Sequence, residues 1–387
     1  MAPIVIIGSG FAALQTIKMI RNSNTELPIT VITADQGVEY NKPSLSHVFS
    51  EQQRPDDLVT HTPKQLEQKY CVSMITNTRV ASLYTDDHTL ITEHGERYSY
   101  SKLVLATGAN TFVPPALTEH KASLLTMNSL HEFSQGYERL QTANSVAVIG
   151  GGLIGVELAL DLQSSGKQVT IVEPSPSLLA SLLPRFISGE LESALADTGV
   201  RVKTNAQVAE IVDNEANKTL WLESPTSTAN EQRQSLDVDE VIVAAGLKPN
   251  MALAQQAGIA TQRGILVNEQ MQTSAPDVYA IGDCAEIDGQ IRAYLQPAIL
   301  SANVLAKQLL GQSSKLALPH MMTKVKTPKY PILFSGTFGK NVRWEASIKP
   351  SGIVARAFDD SEKMVGFVVT GDDASSSFAL FRELQTA

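Results

Sequence analysis

Along the chain, apolar positions gather in short continuous runs more often than in strict alternation. Ile4 to Ile7, Ile29 to Thr33, Ser145 to Ile149 and Val238 to Ala245 are such runs. They predict strands buried on both faces, as in a parallel sheet. Further strands are expected at Val72 to Ile75, Val80 to Leu83, Thr89 to Thr92, Tyr98 to Leu105, Val200 to Thr204 and Val208 to Val212. Helices are expected from the GSGFAA turn to about Arg21, from Pro63 to Tyr70 and from Pro297 to Leu310. From about Pro319 the pattern changes to alternating strands, including Pro331 to Ser335, Gly352 to Phe358 and Met364 to Thr370, closed by a helix from Ala374 to Leu384. The chain reads as α/β, ending in a small α+β domain.

Two runs end in a glycine turn that opens an apolar helix: IVIIGSGFAA at Ile4 to Ala13 and SVAVIGGGLIGVE at Ser145 to Glu157. In the second, Gly150 permits the tight turn, Gly152 lets the backbone approach a pyrophosphate, and Gly155 lets helix pack on strand. The helix N-terminus offers N–H groups and a partial positive charge to phosphates. Glu173, closing the run QVTIVE, lies 21 residues beyond Gly152, where a carboxylate can accept from a ribose hydroxyl. No Lys or Arg lies between Glu173 and Leu183, which predicts NADH over NADPH. In the first loop Ala13 stands for the third glycine. Its partner strand ends at Thr33 without an acid, and Asp35 follows two residues later. One such loop is a weak signal; two in strand–helix context point to two dinucleotides.

Small-residue turns followed by proline mark two crossings, Ala106-Thr107-Gly108 to Val113-Pro114-Pro115 and Gly246-Leu247-Lys248-Pro249-Asn250. They predict two Rossmann-like dinucleotide-binding domains, the second inserted in the first. The first domain is expected at 1–112 and 249–318, the second at 113–248, and the α+β domain at 319–387. DVYAIGDCAE, Asp277 to Glu286, reads as a strand, a glycine and an acid heading a helix.

Charge and cysteine narrow the chemistry. The net charge of −9 argues against nucleic acid as a partner. Between Gly289 and Trp344 there is no Asp or Glu but eight cations, among them Arg292, Lys307 and Lys315, leaving −17 for the remainder. No apolar run is long enough to span a bilayer, and the N-terminus enters a strand at once, so a cytoplasmic protein is expected. Cys71 and Cys284 belong to no CxxC or metal-ligand cluster, so no metal is expected and electrons must leave without a dithiol relay.

GSGFAA, ATG at Ala106 to Gly108, GGGLIGVE and YAIGDCAE together resemble the two-dinucleotide-binding-domain flavoprotein reductases. EYNKPSLS at Glu39 to Ser46, the LKPN turn and VKTP at Val325 to Pro328 are similar to the rubredoxin reductase branch, and the likeness covers essentially the whole chain. It implies FAD in the first domain and NADH in the second. Gly8, Gly10 and Ala13 would cradle the FAD pyrophosphate, and Asp283 would accept from the ribityl and pyrophosphate region. Asp35, Val80, Ala106, Thr107, Gly108, Gly246 and Gly282 complete the cofactor set. Gly150, Gly152, Gly155 and Glu173 would hold NADH. Lys42 would stand beside the hydride-accepting nitrogen of the flavin, paired with Glu157, and Lys326 near the pyrimidine end.

The implied acceptor is an acidic iron–sulfur protein, a rubredoxin or the rubredoxin domain of a flavorubredoxin nitric oxide reductase. Lys324, Lys329, Lys340 and Arg343 are the candidate footprint. Neither membrane nor nucleic acid is an expected partner, and the protein is expected as a monomer or weak homodimer. Relatives with a redox cysteine carry it in or near Asn41 to Ser50, where this chain has none; Cys284 is expected to pack in the core. An NADH-dependent ferredoxin reductase of an oxygenase system, a peroxide-forming NADH oxidase and a non-enzymatic NAD sensor stay open as alternatives.

Overall fold

Ile4–Ile7 is buried at every position because its residues feed two cores in alternation. Ile4 and Ile6 face one apolar cluster, Val5 and Ile7 the other. This is why the run is continuous instead of alternating. The computed structural model describes residues 2–214, 216–226, 233–336, 338–339 and 341–386. It divides into two units: Met1–Lys42, Asp56–Asn110 and Leu247–Leu318 form one, and Pro43–Pro55, Thr111–Gly246 and Pro319–Ala387 the other.

In the first unit Ile4–Ile7 sits at the centre of a five-stranded parallel sheet. Lys102–Leu105 and then Val278–Ala280 lie on one side, Ile29–Ile32 and then Ser73–Ile75 on the other. The helices Phe11–Arg21 and Leu295–Leu309 cover one face, with Ile17, Ile20, Ala302 and Leu305 in the same core as Ile6. Three antiparallel strands, Val80–Tyr84, Thr89–Thr92 and Arg97–Ser99, carry Leu83 and Leu90 into the opposite core. Truncating a fully buried isoleucine of this sheet, such as Ile6, to alanine costs about 2–5 kcal/mol.

In the second unit Ser145–Ile149 pairs in parallel with Gln168–Val172 and Glu240–Val243, and Arg201–Lys203 extends the sheet. An antiparallel sheet, Gln207–Asp213, Lys218–Glu223 and Gln234–Val238, shares its core. The C-terminal segment forms a five-stranded antiparallel sheet ordered Met322–Val325, Ile332–Gly336, Met364–Thr370, Gly352–Phe358, Arg343–Lys349. Its helix Ser377–Thr386 seats Leu380 and Leu384 on Met364, Phe367 and Val369.

Three expected elements differ. The run Tyr98 to Leu105 serves two sheets, because Tyr100 turns inward, stacks on His88 and lets the chain switch partners before Lys102. Val238 to Ala245 is also divided: Asp239 leaves the strand and accepts from the N–H groups of Asn144 and Ser145. Asp283 heads no α-helix. Gly282–Cys284 is a single 3₁₀ turn, and Ala285–Ile287 continues as a strand paired with Ile265–Val267.

Candidate functional site

The two glycine turns have the same construction. Gly8 has φ +105°, and a Cβ there would stand 2.2 Å from the Ala106 carbonyl oxygen, which fixes glycine at that crossing. A Cβ at Gly155 would lie 1.9 Å from the Gly150 carbonyl oxygen, so helix and turn touch only because it is absent. At Gly10 and Gly152, by contrast, a Cβ would meet nothing within 4 Å. These two residues are the N-caps of Phe11–Arg21 and Leu153–Ser164, and neither helix has a side-chain cap or an acid in its first turn. Each turn therefore presents open space before an uncapped helix N-terminus, the arrangement that receives a pyrophosphate. On this geometry the residues fit two dinucleotides.

A carboxylate is held at each turn. Glu173 accepts from the Gly151 N–H at 2.6 Å and the Ser175 N–H at 2.7 Å. Asp35 accepts from Ser9 Oγ at 3.1 Å, Thr33 Oγ at 2.8 Å and the Gly37 N–H at 2.8 Å. Asp35 thus folds back over the strand end and reaches the first loop, the place that Thr33 leaves without an acid. Ala106-Thr107-Gly108 is tied to the second crossing: Thr107 Oγ donates to the Asn250 carbonyl at 2.8 Å, and Asn250 Nδ2 donates to the Thr107 carbonyl at 2.9 Å. Gly108, Gly246 and Gly282 all have positive φ. Ala13 is fully buried, and Val80 begins the strand Val80–Tyr84.

The lysines are paired differently from expectation. Glu157 was expected to pair with Lys42, but Lys42 Nζ lies 3.4 Å from Asp283 and Glu157 Oε2 lies 3.4 Å from Lys326 Nζ. Two carboxylates and two cations of the right type stand in the motifs, and sequence order does not decide the pairing. Around Glu157 a compact cluster forms. Ser46 Oγ donates to Glu157 at 2.8 Å, and Lys326 Nζ donates to Ser46 Oγ at 3.1 Å and to the Pro43 carbonyl at 3.0 Å. The ammonium has three N–H donors, and the contact to Glu157 is the longest of its three. At 3.4 Å both lysine–carboxylate contacts are longer than a usual N–H···O hydrogen bond.

Two residues of this neighbourhood escape a motif-based reading. Ser46 lies inside a quoted motif but carries no signal of its own. Asp161, four residues after Glu157 on a mostly apolar helix, is 4% exposed and accepts from the Phe49 N–H, the Ser50 N–H and Ser50 Oγ at 3.0, 2.9 and 2.6 Å. Burial pushes its pKa up against those hydrogen bonds and the charge of His47. An acid set between Leu160 and Leu162, one helical turn from Glu157, was the available clue.

The remaining chemistry is quiet. Cys284 is fully buried, its thiol donates to the Leu105 and Ile281 carbonyls, and burial raises its pKa, as suits a packed thiol. No metal-holding group of His, Cys, Asp or Glu occurs among the described residues, and no described helix is long and apolar enough to cross a membrane. In the acid-free segment Lys324 and Lys329 are exposed, while Arg343 is held by Glu345 and Glu362. Lys340 lies outside the described residues.

Comparison with known proteins agrees with this geometry. The family described as pyridine nucleotide-disulphide oxidoreductase matches residues 2–304, and a rubredoxin-binding C-terminal domain matches residues 315–384. Proteins named nitric oxide reductase FlRd-NAD(+) reductase are similar over nearly full length. That of Vibrio vulnificus (strain CMCP6) is 48% identical over 99% of this chain and 98% of its own; that of Aliivibrio fischeri is 47% identical over 99% of both. Among solved structures, the NADH:rubredoxin oxidoreductase of Clostridium acetobutylicum has a TM-score of 0.79 at 22% identity, covering 100% of this chain and 94% of that one. The putidaredoxin reductase–putidaredoxin complex gives 0.87 at 22% identity, covering 100% and 93%. At such identity these structures speak for the fold. With two open glycine turns, each latched by a carboxylate, and a family match across most of its length, the chain belongs to the pyridine nucleotide-disulphide oxidoreductase family.

Proposed function

We infer that the chain is an FAD-dependent oxidoreductase that takes hydride from NADH and passes single electrons to a rubredoxin-type iron centre. The acceptor is a rubredoxin or the rubredoxin domain of a flavorubredoxin nitric oxide reductase. What carries the reading is one combination: two uncapped glycine turns in a chain whose C-terminal segment matches a rubredoxin-binding domain. Bound FAD supplies the change from two-electron to one-electron chemistry.

The chain's own residues bind and orient. Gly8, Gly10 and Ala13 with Asp35 receive one pyrophosphate and its ribose; Gly150, Gly152 and Gly155 with Glu173 receive NADH. Lys42, 3.4 Å from Asp283, would be a donor toward the hydride-accepting side of a bound flavin. Lys326 offers a cation whose charge Glu157 and Ser46 partly compensate. Replacing Lys326 with Met makes the bound flavin harder to reduce; an unchanged reduction potential removes that role. Lys324 and Lys329 remain as the footprint for an acidic acceptor, since Arg343 is engaged within its own surface. A cytoplasmic location fits this chemistry.

The test is anaerobic NADH oxidation by the FAD-loaded protein with a rubredoxin-type iron centre, a ferredoxin or oxygen as acceptor. Fast turnover with the rubredoxin centre alone is expected. Equal service by ferredoxin or oxygen overturns the acceptor and favours the ferredoxin reductase or oxidase alternatives, leaving FAD and NADH in place.

A further inference from the structure

The chain leaves the first unit at Lys42, places Pro43–Pro55 in the second, and returns at Asp56. Within the second unit this short excursion is held at several points. Ser46 and the Pro43 carbonyl meet Glu157 and Lys326. Phe49 lies edge-on to Phe133 with ring centroids 6.0 Å apart, and Leu45 and Val48 are buried. The remaining anchor is Asp161, whose carboxylate gathers two backbone N–H groups and one hydroxyl from Phe49 and Ser50. Glu157 and Asp161 are four residues apart on Leu153–Ser164, so one face of the helix that opens at the second glycine turn grips both ends of the segment from Ser46 to Ser50.

We propose that Asp161 is a positioning residue for hydride transfer: by fixing the Phe49–Ser50 end of the excursion, it holds Ser46 at Glu157 and Lys326 and so sets where the Lys326 ammonium points. The proposal rests on the reading of Glu157 and Lys326 as flavin-side residues. Its logic is geometric. Ser46 is the group through which the excursion touches both charged side chains, and Phe49 and Ser50 lie one turn beyond it. Asp161 is the described acceptor of both their N–H groups. An asparagine would keep the shape but set its NH₂ against one of these donors, and that end of the turn would come loose.

The experiment uses full-length, FAD-loaded protein and the variants Asp161→Asn, Ser50→Ala, Ser46→Ala and Asp161→Asn/Ser46→Ala. Amide hydrogen exchange at Phe49 and Ser50 is expected to quicken in Asp161→Asn, with the 150–155 turn unchanged. The limiting rate of flavin reduction by NADH is expected to fall about ten-fold at an unchanged NADH dissociation constant. Because the effect runs through Ser46, Asp161→Asn should add nothing further in the Ser46→Ala background. Ser50→Ala, which removes only one of the three hydrogen bonds, gives a smaller effect of the same kind and stands in should Asp161→Asn fail to fold. An equal loss in both backgrounds, or an unchanged rate despite faster exchange, overturns the proposal. Failure of NADH to reduce the wild-type flavin strikes the functional reading instead, separately from the exchange result.

Discussion

Glu157 and Lys326 allow the cluster to be tested through stability alone, apart from any cofactor. At 3.4 Å and an effective dielectric of about 20, their gross attraction is about 5 kcal/mol, most of which desolvation of the two groups offsets. The informative quantity is therefore the asymmetry between breaking the pair from either side. The Glu157 side chain is 8% exposed and that of Lys326 is 32% exposed. Lys326→Met leaves a buried carboxylate with Ser46 as its hydrogen-bond donor, which costs about 3–5 kcal/mol. Glu157→Gln leaves an ammonium that reaches water and still donates to Pro43 and Ser46, which costs about 1 kcal/mol. The double variant removes both charges and should cost about 2 kcal/mol, a coupling of about 2–4 kcal/mol. Urea unfolding of the cofactor-free protein followed by tryptophan fluorescence reads this out. Trp221 and Trp344 both lie in the unit that holds the pair. Additive single effects, or Glu157→Gln costing more than Lys326→Met, would show that the two side chains are not a coupled, asymmetrically buried pair.

Further outcomes follow from other sites. The Tyr100 hydroxyl is buried without a hydrogen-bond partner among the described residues, and its pKa is raised from 10.0 to about 12 by burial first and then by Asp277 and Asp86. Tyr100→Phe should be neutral or stabilising by about 1 kcal/mol near neutral pH. A raised folded pKa means that the Tyr100 contribution is complete below pH 10 and is lost as the pH climbs through about 12, so the variant's advantage should widen over that window in urea midpoints. Glu173→Ala should raise the NADH dissociation constant by about 10–100-fold, as for loss of a hydrogen bond to a charged group, and narrow the preference over NADPH; fluorescence titration checks both. Lys324→Glu/Lys329→Glu should slow turnover with an acidic iron–sulfur acceptor and flatten its ionic-strength dependence, while flavin reduction by NADH stays as in the wild type.

The parts of the molecule legible in the sequence are those where backbone geometry demands a residue type locally. Gly8 and Gly155 are required by contacts of 2.2 and 1.9 Å, and the apolar run at Ile4–Ile7 by two cores, so strand, turn and helix could be read from a dozen residues. Glu173 was readable because its spacing from the turn is set by one helix and one strand, Leu153–Ser164 and Gln168–Val172. The ion pairs were not: Lys42 and Lys326 are equally suitable partners for Glu157 until tertiary contacts choose. Apolar Leu45, Val48 and Phe49 announce a buried loop but not the unit that buries it. The edge strand Arg343–Lys349 alternates polar and apolar residues, but there the alternation does not report burial, since every residue except Trp344 is exposed.

The most direct test of the account is the oxidative half-reaction in isolation. Protein reduced anaerobically with one equivalent of NADH is mixed with two equivalents of an oxidised rubredoxin-type iron centre in a stopped-flow instrument. Both equivalents are expected to bleach, at a rate that falls as ionic strength rises. An iron centre that stays oxidised while the same protein reduces a ferredoxin or oxygen would contradict it.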